Sequence, residues 1–277
     1  MRPTSVDAAL TRLRGQLGQQ DRLIVAFSGG ADSALLAAVA AEVLGERALA
    51  VTAVSPSLPV RERRAARDFA RRHGIRHLDV CTDEGERPEY RANGADRCHH
   101  CKSALFDAVQ PLAGLLGARV ALGTNLDDLG DHRPGQAAAA ERGVLAPLVD
   151  AGFTKELVRA ASSRLGLETA DKPAAACLAS RIAYGDPVTP EGLAAVERAE
   201  EALRTLGFPI GRVRAHAEGT VARIEVPEED FGRLAACRTE LETAVRQAGF
   251  RFVAVDLAGF RSGRMNVLLP LPAVPRA

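Results

Sequence analysis

Four short apolar runs set the rhythm of the first half of the chain: LIVAF (23–27), ALAVTAV (48–54), HLDVC (77–81) and RVALG (119–123). Each has the length and apolar content of a strand. Between the first two, apolar positions recur at helical spacing from about Asp32 to Leu44 and stop at Gly45. A second helical stretch, about Arg61 to His73, carries Ala65, Ala66, Phe69 and Ala70 and is closed by Gly74. The first 20 residues place Ala8, Ala9, Leu10, Leu13 and Leu17 at the same spacing, and a helix over about Thr154 to Leu165 has Thr154 as its N-cap. Strands and helices alternating at these lengths predict an α/β fold with a doubly wound parallel sheet, joined by right-handed crossovers. Ligands of such sheets bind at the carboxyl ends of the strands.

After Pro190 the pattern changes. A charged helix (about Glu191 to Leu206) leads into GRVRAHAEGTVARIEV, two strand-like runs with Ala217 to Gly219 as the turn, followed by a helix over about Glu228 to Ala248 and the strand RFVAVDL. Gly, Asp and two prolines cluster near 186–190, so the chain reads as two domains, 1–188 and a smaller α+β domain, 189–277.

A chain of 277 residues with 47% hydrophobic content can build one sizeable core and a smaller second one. Its 36 basic and 35 acidic residues leave a net charge of +1 without a polybasic block, which argues against long nucleic acid as a partner. There is no signal-like leader and no apolar run long enough to cross a bilayer, and five cysteines is an odd count. These features predict a cytoplasmic protein with reduced thiols and no membrane partner. Only Lys102, Lys155 and Lys172 are lysines among the 36 basic residues, and only Asn93, Asn125 and Asn266 are asparagines, so these exceptions to an Arg- and Ala-rich composition mark positions to inspect.

The first chemical feature is the junction LIVAFSGGADSA (23–34). Ser28, Gly29 and Gly30 carry little side chain, so consecutive backbone N–H groups can close around an anion, and the start of the next helix adds partial positive charge. Asp32 and Ser33 stand at that helix start. The junction lacks the lysine of GxxxxGK[ST] and is not GxGxxG. It resembles the SGGxDS loop of the PP-loop ATP pyrophosphatases, which cleave ATP between its α and β phosphates. The loop GTNLDDLGDHRPG (123–135), following the fourth strand, is expected at the same sheet edge.

The second is Cys98-His99-His100-Cys101 with Cys177. A C-x-x-C pair and a third cysteine, both expected in loops, suit three irons of a 4Fe-4S cluster with the fourth iron open; with His99 or His100 they suit zinc, and unligated thiols are the third reading. Cys81 and Cys237 read as core residues. Arg212 and Arg214, two apart in a strand, point to one face and can fork onto a phosphate.

Together SGGADS, DRCHHCK, GTNLDDLGDHRPG, DKPAAACLASRIAYG and GFRSGRMN resemble the LarE family of ATP-dependent pyridinium-3,5-biscarboxylate mononucleotide sulfur transferases, over about residues 5 to 270. The resemblance implies adenylylation of a carboxylate, release of pyrophosphate and sulfur transfer, in the making of a nickel-pincer cofactor of the kind lactate racemase uses. It implies Cys177 as the sulfur-handling residue and Cys98, Cys101 and Cys177 as ligands of a 4Fe-4S cluster fed by a sulfide donor. It further implies ATP on Ser28, Gly29, Gly30, Asp32, Ser33, Gly123, Asp127 and Arg133, with Mg2+ near Asp32, Asp127 and Asp128. Arg181, Arg212 and Arg214 are then expected on the mononucleotide, and a homo-oligomer is expected. A tRNA 2-thiolation enzyme shares the PP-loop and three cysteines; near-neutral charge disfavours it, since that enzyme binds a polyanion.

Overall fold

The computed structural model describes residues 5–130, 138–173 and 175–261, with Met265 and Val267. The chain divides into two compact units: Met1–Glu84 with Cys98–Ala175, and Gly85–Arg97 with Ala176–Ala277. The second unit thus takes in Gly85–Arg97 and residues 176–188, which the sequence pattern assigned to the first domain. Asn93 explains both. Buried and at a φ of +57°, it donates its amide to the carbonyls of Ala183 (2.8 Å) and Asp186 (2.9 Å), while Val188 N donates to Arg91 O. A buried asparagine satisfied by two carbonyls staples segments distant in sequence.

In the first unit, β1 (Leu23–Ala26), β2 (Ala48–Val54), β3 (His77–Cys81) and β4 (Arg119–Leu122) form a parallel sheet in the order β3-β2-β1-β4. Alternate residues of β1 face opposite ways, as the pleat requires. Leu23 and Val25 join a core with α1 (Val6–Gly18), α2 (Ala31–Leu44) and α3 (Val60–Arg72); Ile24 and Ala26 join one with the helix Arg97–Leu116. Both faces are covered, the expected doubly wound arrangement, and the strand order reverses between β1 and β4. That reversal opens a crevice at the carboxyl ends of the two strands.

The helix Arg97–Leu116 corrects one expectation: Cys98 and Cys101 lie within its first five residues rather than in a loop. Cys81 is exposed at the end of β3 rather than buried.

In the second unit, β5 (Arg212–His216) and β6 (Val221–Glu225) form a hairpin, and β7 (Phe252–Val255) runs parallel to β6. Helix Pro190–Thr205 starts at Thr189, whose hydroxyl accepts from Gly192 N. The single helix expected over 228–248 is broken at Cys237 (φ −103°, ψ 22°) into Phe231–Ala236 and Arg238–Gln247. Among the described residues, no helix is long and apolar enough to cross a membrane.

Candidate functional site

The turn after β1 is built from its own small side chains. Ser33 Oγ accepts from Ser28 N (3.2 Å), lies 3.1 Å from Ser28 Oγ and donates to Gly30 O (3.1 Å), so the loop is closed on itself and its shape is fixed. Gly29 has a φ of +70°, and a β-carbon there would lie 3.1 Å from Ala66 Cβ in α3. Glycine is required on both counts. Gly30, the N-cap of α2, offers no side-chain cap, so the first amides of a 14-residue helix are not engaged by a capping side chain.

Gly123, just past β4, packs directly on this turn: a β-carbon would come within 2.8 Å of Ser33 N and 2.9 Å of Asp32 C. Asn125 then reaches across, donating its amide to Asp32 Oδ1 (3.0 Å) and accepting from Asp127 N (2.9 Å). The second oxygen of Asp32 pairs with Lys155 Nζ at 2.5 Å, and Lys155 N donates to Asp127 Oδ2 at 2.7 Å. Thr154, as expected, caps the helix Lys155–Arg164, accepting from Leu157 N. Asp128 turns back to accept from Asn125 N (3.0 Å). The carboxylates of Asp32, Asp127 and Asp128 are therefore each held by protein donors.

Lys172 ties the loop from the other side. Its ammonium donates to Gly29 O (2.9 Å) and pairs with Glu62 Oε2 of α3 (2.7 Å). Burial raises the Glu62 pKa, but the Lys172 ammonium and the neighbouring Arg61 outweigh it and hold the carboxyl below its ordinary 4.5. Two of the three lysines in the chain thus converge on one six-residue loop. Their rarity was the signal; Lys155 and Glu62 carried no motif that assigned them a role.

The candidate residues of the second unit are arranged differently from expectation. Register confirms that Arg212 and Arg214 share a face, opposite Glu225 and Arg223. Arg214 is buried, however, and gives Nε and Nη2 to Glu225 Oε2 (3.0 and 2.8 Å) and Nη1 to Ser180 O. Arg181 is buried too; Nε pairs with Glu200 Oε1 at 2.9 Å, and Nη1 donates to Ala176 O (2.6 Å) and Cys177 O (3.0 Å). Arg97 Nη1 donates to Ala179 O. Three buried arginines thus pin the turn 176–181 that presents the half-exposed Cys177 at the start of the short helix Leu178–Arg181. Arg181 and Arg214, both expected on the substrate, make these hydrogen bonds to protein groups. Arg212 is part-exposed; its guanidinium lies 5.2 Å above the Phe260 ring and donates to Gly211 O (3.0 Å). Arg223 and Glu225 went unnoticed in the sequence because only the strand register reveals them as part of that face.

Cys98 and Cys101 are three apart on one helix, hence on one side of it, and Cys98 is exposed. As thiol donors they suit iron or zinc. Among the described residues, no three His, Cys, Asp or Glu side chains group as a metal site. For Mg2+ the oxygen donors at Asp32 fit an ion that keeps waters and takes its other ligands from phosphates. Arg133 lies outside the described residues.

The asparagine synthase family profile matches residues 8–100, which include the 28–33 turn. An uncharacterized protein of Synechocystis is 45% identical over 95% of this chain and 99% of its own length. The pyridinium-3,5-bisthiocarboxylic acid mononucleotide synthase of Lactiplantibacillus plantarum is 36% identical over 88% of this chain and 89% of its own. An uncharacterized protein of Methanocaldococcus jannaschii is 25% identical over 91% of the chain.

Proposed function

The chain belongs to the LarE family of PP-loop, ATP-dependent enzymes, that of the pyridinium-3,5-bisthiocarboxylic acid mononucleotide synthase, and from this we propose that it adenylylates the carboxylates of pyridinium-3,5-biscarboxylic acid mononucleotide and converts them to thiocarboxylates. The observation that carries the reading is the rigid, uncapped 28–33 turn with Asp32 fixed at its rim. A carboxylate is a poor electrophile, so an oxygen of the substrate attacks the α-phosphorus of ATP; the bond to the bridging oxygen breaks and pyrophosphate leaves with the electron pair. The amides of the turn and the start of α2 meet the charge that develops on that leaving group. Sulfide then adds to the acyl carbon and AMP departs.

Ser28, Gly29, Gly30, Ser33 and Gly123 shape the pyrophosphate cradle, Asp32 and Asp127 are the metal-side groups, and Arg133 belongs to the same nucleotide loop. Arg212 meets the mononucleotide phosphate. Arg181 and Arg214 act on substrate only indirectly, by holding the Cys177 turn and the Arg212 face. Mg2+, when bound, neutralises phosphate charge.

Residue type and spacing support Cys98, Cys101 and Cys177 as holders of a 4Fe-4S cluster, which when bound would supply the sulfide. The sulfide donor that reloads it, assembly as a homo-oligomer and a cytoplasmic location belong to the same reading. Anaerobic purification with iron and sulfide analysis tests the cluster. Iron that disappears together with sulfur transfer in Cys98→Ala supports it; an iron-free Cys98→Ala that still transfers sulfur once and loses the Cys177 sulfur does not. Mass spectrometry of the mononucleotide after incubation with ATP and sulfide tests the reaction, through exchange of carboxylate oxygen for sulfur.

A further inference from the structure

Both oxygens of Asp32 are committed. Oδ1 accepts from Asn125 Nδ2 at 3.0 Å and Oδ2 faces Lys155 Nζ at 2.5 Å. A metal ion that uses Asp32 meets an ammonium already seated on the same oxygen, and two cations on one carboxylate oxygen repel. The two partners of Asp32 differ in freedom. Asn125 is buried and doubly hydrogen-bonded, whereas the Lys155 side chain is 38% exposed on a flexible four-carbon stem. Its backbone is fixed, because Lys155 N donates to Asp127 and the helix behind it is capped by Thr154. The ammonium can therefore leave Asp32 and stay tethered beside the amides of α2, where pyrophosphate gains charge.

We propose that Lys155 is a positioning residue that acts as the resident counter-ion of Asp32: it holds Oδ2 in the nucleotide-free enzyme and yields it to the Mg2+ that arrives with ATP. This rests on the reading of residues 28–33 as the ATP site, and deepens it. Lys155 keeps the carboxylate oriented while the site is empty, so binding of metal–nucleotide exchanges one cation for another instead of ordering a free side chain.

Mn2+ binding to the full chain, followed by electron paramagnetic resonance with the metal alone and with α,β-methylene-ATP, tests this. Lys155→Met should bind Mn2+ alone about two- to fivefold more tightly than wild type, the weight of a part-exposed ion pair removed from competition. Asp32→Asn added to Lys155→Met should abolish that gain. Lys155→Arg, whose guanidinium forks onto a carboxylate, should move Mn2+ affinity the other way and carries the test if Lys155→Met does not fold. Unchanged or weaker Mn2+ binding in Lys155→Met, a gain that survives Asp32→Asn, or no Asp32-dependent binding even with the nucleotide analogue overturns the proposal. Metal binding is read without the pyridinium substrate. Failure of sulfur transfer therefore leaves this test standing, and mononucleotide-dependent AMP release without the metal effect overturns the role of Lys155 alone.

Discussion

A β-carbon on Gly123 would stand 2.8 Å from the backbone nitrogen of Ser33, so the end of β4 and the first turn of α2 touch through a position only glycine can occupy. Because backbone rather than a flexible side chain is on the receiving side, Gly123→Ala must push the two elements apart. We expect a loss of about 1–3 kcal/mol in stability by denaturant titration, and a rise in the KM for ATP larger than any change in binding of the mononucleotide.

Asp32→Ala should stop pyrophosphate release and cost about 1–3 kcal/mol of stability, since it leaves the Nδ2 of the buried Asn125 without its acceptor while the part-exposed Lys155 can turn to water. Normal pyrophosphate release in this variant would reduce Asp32 to a helix-start residue.

The Glu62–Lys172 pair carries a pH dependence. The folded carboxyl ionises below its ordinary 4.5, so the unfolded chain takes up the proton first as the solution is acidified. The pair's contribution to stability is full above about pH 4.5 and falls away as pH drops through the folded value. Glu62→Gln should flatten the acid limb of the stability curve, measured by denaturant midpoints across that range; an unchanged limb would show that the pair is energetically silent.

Arg212 and Arg214 should separate in mutagenesis, although they look equivalent in the sequence. Arg214→Ala strips the buried Glu225 of one of its two arginine partners and should cost about 1–3 kcal/mol of stability. Arg212→Ala should leave stability nearly unchanged and weaken the mononucleotide without altering ATP affinity. Equal loss for both ligands would contradict a divided site.

Much of the first unit was legible because buried parallel strands write themselves as apolar runs: all four strands of the sheet and the start of α2 lie where the periodicity put them. The tight turn of Ser28 to Ser33 was legible from residue size alone. What escaped was set by long-range contacts. The excursion Gly85–Arg97 joins the second unit through Asn93, whose partners lie some 90 residues on. The partners of Arg181 and Arg214 escaped because charge in a sequence does not announce its partner; Glu200 and Glu225 become visible only through helix packing and strand register. The C-x-x-C pair was read as a loop because its two histidines and two cysteines are weak helix formers, and the helix draws its stability from later residues such as Leu105, Phe106 and Val109 packed on the sheet.

Cleavage of ATP between its α and β phosphates, used to activate the carboxylates of pyridinium-3,5-biscarboxylic acid mononucleotide, can be followed by phosphorus NMR of the reaction with and without that mononucleotide. AMP and pyrophosphate are expected in equal amounts, formed only when the mononucleotide is present and lost in Asp32→Ala. ADP and inorganic phosphate, or AMP release indifferent to the mononucleotide, would contradict this reading.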